Sequence, residues 1–128
     1  MNMWTDIAVE NAGELKDFYS QVFGWTVQEV PMEDEAGAGA YADYAMVDKK
    51  GEGVGGVCHK RGVNNDLPSQ WIVYFTVENV TESIETCKRL GGKVLKETRN
   101  EEGDLFYALL KDPSGAVIGI MQEGAYDA

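Results

Sequence analysis

Few side chains in this sequence are able to do chemistry, and their spacing restricts which chemistry. His59 is the only histidine, and it ends a strand-like run, Gly53 to Cys58, beside Lys60 and Arg61. One imidazole can shuttle a proton near neutral pH. Alone it completes neither a metal site nor a Ser-His-Asp or Cys-His arrangement. Cys58 and Cys87 lack the CxxC spacing of a redox or zinc motif. Asp6 stands inside the β-rich run Trp4 to Val9. Placed among Trp4, Ile72 and Tyr74, its carboxylate would be partly desolvated, and so a candidate general base or a partner for a cationic ligand. Gly51, Gly53, Gly55 and Gly56 resemble a phosphate loop in composition only. No Gly-Lys-Ser/Thr ending and no helix follow, so they read as a turn and a strand that another backbone approaches closely. Glu33-Asp34-Glu35 and Glu101-Glu102 read as solvated loop charges rather than calcium ligands.

The elements that hold these residues come as an internal repeat. Val9-Glu10-Asn11 recurs 68 residues later as Val77-Glu78-Asn79, and the register carries Ile7 onto Phe75, Glu14 onto Glu82 and Gly24 onto Gly92. Each copy opens with a β-rich run, Trp4 to Val9 and Trp71 to Val77. Asn-x-x-Glu then predicts a capping box at each helix start, through Asn11 with Glu14 and Asn79 with Glu82. The first helix places Leu15, Phe18, Tyr19, Val22 and Phe23 on one apolar stripe expected to be buried, and the second places Val80, Ile84, Cys87 and Leu90 likewise. Gly24 and Gly91-Gly92 stop them. Three short strands follow in each copy: Thr26 to Val30, Tyr41 to Val47 and Gly53 to Cys58, then Lys93 to Glu97, Leu105 to Lys111 and Ala116 to Met121. The pattern is β-α-β-β-β written twice, module 3–60 and module 69–124 of a single domain, 1–128. Residues 31–40 and 60–69 are the expected loops, the second holding Gly62, Asn64, Asn65 and Pro68.

The 128 residues, 44% hydrophobic and 26% charged, have the balance of one globular core. Asp and Glu number 22 against 11 Lys and Arg, a formal net charge of −11, which excludes the basic footprint of a nucleic-acid binder and disfavours anionic membranes. The longest apolar runs, Trp71 to Phe75 and Ala116 to Met121, are far too short to cross a bilayer. No basic amino-terminal signal is readable, and the two cysteines show no disulfide framework, so a soluble, cytoplasmic protein is expected.

A tandem β-α-β-β-β chain with Phe18-Tyr19 just before Phe23-Gly24-Trp25 resembles the glyoxalase, bleomycin-resistance and extradiol dioxygenase superfamily, the vicinal oxygen chelate proteins. Leu90-Gly91-Gly92-Lys93-Val94 and Lys111-Asp112-Pro113-Ser114-Gly115-Ala116 add to the likeness, which covers nearly the whole chain. The resemblance implies an α+β fold in which the two modules form a curved, partly open eight-stranded barrel with the helices outside. In the metal-dependent members it implies a divalent ion held by one His and one Glu per module, acting as a Lewis acid. Carried over, the His positions fall on Trp4 and Ile72, the second-module Glu on Gly119 and its first-module counterpart near Gly55. None of these has a metal-binding atom, so no metal and no other cofactor is expected.

In the implied pocket, strand alternation points Trp4, Asp6 and Ala8 inward in the first copy and Ile72, Tyr74 and Thr76 in the second. Tyr41 and Tyr44 share a strand but face opposite ways, leaving at most one, Tyr44, to the pocket. The expected ligand-binding set is Trp4, Asp6, Tyr44, Ile72, Tyr74, Thr76 and Gly119, with Asp6 and His59 as candidate proton-transfer residues. Three functions follow: binding of a small, partly aromatic ligand in a metal-free pocket; a glyoxalase-like lyase or isomerase using Asp6 with Tyr44 or His59, or a metal on atypical ligands; or a dimerising or regulatory module. A homodimer is the expected assembly.

Overall fold

The structure, a computed structural model, describes residues 3–33, 40–61 and 67–124. In chain order the elements are β1 (Met3–Val9), α1 (Ala12–Phe23), β2 (Thr26–Glu33), β3 (Ala40–Val47), β4 (Gly53–His59), β5 (Ile72–Val77), α2 (Val80–Arg89), β6 (Lys93–Arg99), β7 (Leu105–Lys111) and β8 (Val117–Gln122). This is the βαβββ pattern twice, an α+β fold. The chain divides into two compact units, Thr5–Trp71 and Ile72–Ala128, with Met1–Trp4 counted with the latter.

Within the first unit the strand order is β2-β3-β4-β1, and within the second β5-β8-β7-β6. In each, the first strand of the repeat pairs in parallel with the last, β1 with β4 and β5 with β8, and the remaining pairs are antiparallel. The sheet of each unit is open and not closed into a barrel. Pro31 lies inside β2, which pairs only with β3 and so tolerates a residue without an N–H. The loop expected from residue 31 therefore starts later. Asp34, Glu35, Gly62, Asn64 and Asn65 lie outside the described residues.

Each helix packs on one face of its own sheet. Ile7, Val9, Ala12, Met46 and Val57 form the first core, with Leu15, Tyr19, Trp25, Tyr44 and Trp71 packed against it. Val80, Ile84, Ala108, Leu110 and Ile120 form the second, with Val77, Cys87, Val94, Leu105 and Ile118 around it. The expected stripe on α1 is corrected here: the buried face runs through Ala12, Leu15 and Tyr19, while Phe18, Val22 and Phe23 are 56%, 57% and 55% exposed. Phe18 lies about 100° around the helix from Tyr19. Val22 and Phe23 occupy the last turn, where Gly24 (φ 72°) redirects the chain, and only Phe23 gains ring neighbours, Tyr19 and Trp25. Leu90, expected in the second stripe, closes α2 as its C-cap and is 64% exposed.

The two caps also differ. Asn79 is extended, and its side chain accepts the Glu82 N–H at 3.1 Å. Asn11 has φ −105° and ψ 43° and makes no side-chain cap bond. The motif works only where the backbone ahead of the helix is extended. In the final turn, Asp112 accepts the Ser114 hydroxyl at 2.6 Å and the Ser114 and Ala116 amides at 2.8 and 3.0 Å, which hold its carboxyl below the usual range.

Candidate functional site

Strand register fixes which residues answer to each other in the two units. Asp6 pairs with Gly56, and Tyr74, its counterpart one repeat later, pairs with Gly119. The first-module counterpart of Gly119 is thus Gly56, one residue beyond Gly55. Both glycines are buried. A Cβ on Gly56 would lie 2.5 Å from Asp6 Oδ1, and one on Gly119 would lie 2.2 Å from the Tyr74 ring. Such separations are far inside van der Waals contact. At both places the space a side chain would take is filled by the group from the neighbouring strand. Gly55 faces the other way, its missing Cβ 2.6 Å from the Thr5 carbonyl oxygen, where the Thr5 hydroxyl donates to the Val54 carbonyl at 3.1 Å.

Along β1 the side chains alternate, whereas on β5 Phe75, the counterpart of Ile7, is 45% exposed. Ile7 and Val9 enter the helix-covered core, which puts Asp6 and Ala8 on the opposite face of the first sheet. Asp43 and Cys58 join them there. Burial first, then the charges of Asp6 and Asp43, push the Cys58 thiol up, so it stays protonated and is no nucleophile. In the second unit the corresponding face is apolar. Ile72 is 1% exposed, Tyr74 lies over Gly119 and meets Tyr107 edge-on with ring centroids 6.0 Å apart, and Met121 is buried. Thr76 is half-buried, as is Trp4. Two acids in one sheet, Asp6 and Asp43, thus stand where the other carries two tyrosines, Tyr74 and Tyr107.

Asp43 is a candidate site residue that the sequence reading missed. It is 6% exposed, and its Oδ1 accepts the His59 backbone N–H at 2.8 Å and lies 3.3 Å from His59 Nδ1. The signal for it was available: Asp43 differs in parity from the core residues Tyr44 and Met46, so it turns to the polar face with Asp6. Tyr41 and Tyr44 both reach the His59 ring, with centroids 5.6 and 6.0 Å away. Their opposite parity does not separate them, because His59 closes β4 and its ring reaches past the strand end. The Arg61 guanidinium lies 4.2 Å from the centre of Tyr41 and Lys16 Nζ 5.1 Å from that of Tyr44.

The residues present do not fit the family's metal ion. Trp4, Ile72, Gly56 and Gly119 offer no donor atom. At the two glycines there is no room for one without moving Asp6 or Tyr74. Among the described residues no three His, Cys, Asp or Glu side chains gather to hold a cation elsewhere.

The family model of the Glyoxalase/Bleomycin resistance protein/Dioxygenase superfamily matches residues 3–120, and the chain belongs to that superfamily. Among curated proteins it is 25% identical over 120 residues to "Putative glyoxylase CFP32" of Mycobacterium bovis, covering 93% of this chain and 44% of that protein. It is 26% identical over 136 residues to the anthracycline biosynthesis protein DnrV of Streptomyces peucetius, covering 97% and 47%. The chain thus spans about half the length of the curated relatives it matches. Among solved structures, a methylmalonyl-CoA epimerase variant of Streptomyces coelicolor in complex with 2-nitronate-propionyl-CoA superposes with a TM-score of 0.57 at 17% identity, over 100% of this chain and 97% of that one. That likeness establishes the vicinal oxygen chelate fold. No helix among the described residues is long and apolar enough to cross a membrane.

Proposed function

We propose that this protein binds a small, partly aromatic organic molecule without the help of a metal ion. The observation that carries this reading is the pair of buried glycines. Where metal-dependent relatives place a chelating carboxylate, the space is taken by Asp6 in one unit and by the Tyr74 ring in the other. A charged group for a ligand's donor or cationic end has replaced a charged group for a metal. Trp4, two residues before Asp6 on the same strand, adds an indole, and Ile72, Tyr74, Thr76 and Gly119 are the proposed ligand residues at the matching positions of the second repeat. Tyr44 packs on the helix-covered core of the first unit and leaves the set. The relative from anthracycline biosynthesis supports an aromatic ligand class. Two free cysteines suit a reduced cytoplasm.

The expected results are specific. Zn²⁺, Ni²⁺ and Mn²⁺ leave the melting temperature unchanged, and a good ligand quenches tryptophan fluorescence. Asp6→Asn weakens that ligand by about 1.5 to 3 kcal/mol, the range for a charge-assisted contact. Stoichiometric metal in extensively dialysed protein, lost on mutating Asp6 or His59, overturns the proposal. The exposed Phe18, Val22 and Phe23 support a homodimer. Light scattering then gives twice the chain mass at micromolar concentration, and a concentration-independent monomer rejects it. A second reading, a lyase or isomerase using Asp6 with Tyr44 or His59, is favoured by the Asp43 contact to the imidazole.

A further inference from the structure

We propose that His59 is a proton acceptor held in place by Asp43, acting on a ligand that carries a phenolic or enolic hydroxyl. The inference rests on the second reading above and adds a positioning residue, a tautomer and a ligand class to it. One buried oxygen, Asp43 Oδ1, takes two partners: the His59 amide at 2.8 Å and the imidazole Nδ1 at 3.3 Å. The amide bond ties the carboxylate to the end of β4, so the same atom that anchors the backbone also orients the ring. A carboxylate only accepts hydrogen bonds, which puts the imidazole proton on Nδ1 and leaves the lone pair on Nε2.

The His59 side chain keeps 21% of its surface accessible while that of Asp43 keeps 8%. The base is thus reachable and its partner shielded. In the proton step the ligand's O–H bond breaks with its electron pair staying on oxygen. A new N–H bond forms at Nε2, and the imidazolium so produced faces the Asp43 carboxylate through Nδ1–H. An imidazole takes a proton from an aromatic or enolic hydroxyl far more readily than from an aliphatic alcohol, because the delocalised oxyanion is the weaker base. The rings of Tyr41 and Tyr44 beside His59 offer aromatic surface for a conjugated ligand. Among the described residues, Arg61 lies over Tyr41, a cation suited to a developing oxyanion, Lys16 lies over Tyr44 and is paired with Asp17 at 3.2 Å, and the Asp6 carboxylate shares the Asp43 face beside Cys58.

Because the chain has one histidine, nitrogen-15 NMR of the full chain reads a single pair of ring nitrogens. The neutral ring is expected as the Nδ1–H tautomer. In Asp43→Asn, which keeps an acceptor oxygen but loses the charge, that preference weakens and carbethoxylation by diethyl pyrocarbonate slows, whereas Asp43→Ala, which removes the acceptor, loses the preference altogether. With 4-nitrophenol as the probe, the wild-type protein raises the phenolate absorbance and His59→Gln does not. An Nε2–H tautomer in the wild type overturns the positioning role, and an unchanged phenolate band at millimolar protein overturns the ligand class. The tautomer is read with no ligand present, so failure of the ligand-binding reading leaves that result standing.

Discussion

Gly119→Glu, which returns the family's usual carboxylate to β8, is expected to destabilise the protein by at least about 3 kcal/mol and to bring no metal affinity. The position is buried, and the first added atom would stand 2.2 Å from Tyr74 Cδ2 and 2.5 Å from Cε2. Overpacking of this kind costs about 1 to 3 kcal/mol before any charge is counted. A carboxylate placed there without a partner adds a desolvation penalty of several kcal/mol. Gly119→Ala separates the two terms, with an expected loss of about 1 to 3 kcal/mol by urea denaturation. In a Tyr74→Ala background the same substitution is nearly free, because the ring that it meets is gone, and the cycle shows coupling of 1 kcal/mol or more. Full stability in Gly119→Glu would mean that Tyr74 swings aside at no cost and that β8 can still carry a chelating carboxylate.

The repeat made the fold legible. Once Val9-Glu10-Asn11 is laid on Val77-Glu78-Asn79, each strand of one copy predicts a strand of the other, and β7 runs from Leu105 to Lys111 as expected. Less legible was anything decided by a partner strand. Whether Gly55 or Gly56 answers to Gly119 depends on the register of β1 against β4, which turns on one residue. Parity along β3 puts Asp43 on the polar face, but its contact to His59, sixteen residues away on another strand, is set by the pairing of β3 with β4. Asn11 and Asn79 share a motif and differ in the backbone in front of it, which no four-residue pattern records.

The helix stripe makes the same point and supplies the second large effect. Met46→Ala is expected to cost about 2 to 5 kcal/mol, and Phe18→Ala about 1 kcal/mol or less. By side-chain size and apolarity alone the order would be reversed, since the ring is larger and sits at the centre of an apparent helical stripe. Exposure decides otherwise: Met46 is 0% exposed and Phe18 56%. Met46 sits on β3 among Ile7, Val9, Ala12 and Val57, so removing its thioether opens a cavity that close-packed neighbours cannot collapse to fill. Phe18 keeps one edge-on neighbour, Tyr19, at 5.2 Å, and truncating it releases apolar surface that water already reaches. Denaturant unfolding of both variants checks the ranking, with the slope unchanged if each remains two-state. A loss at Phe18 equal to that at Met46 would show that the exposed face of α1 is covered in solution, and the association measurement would then reveal by what.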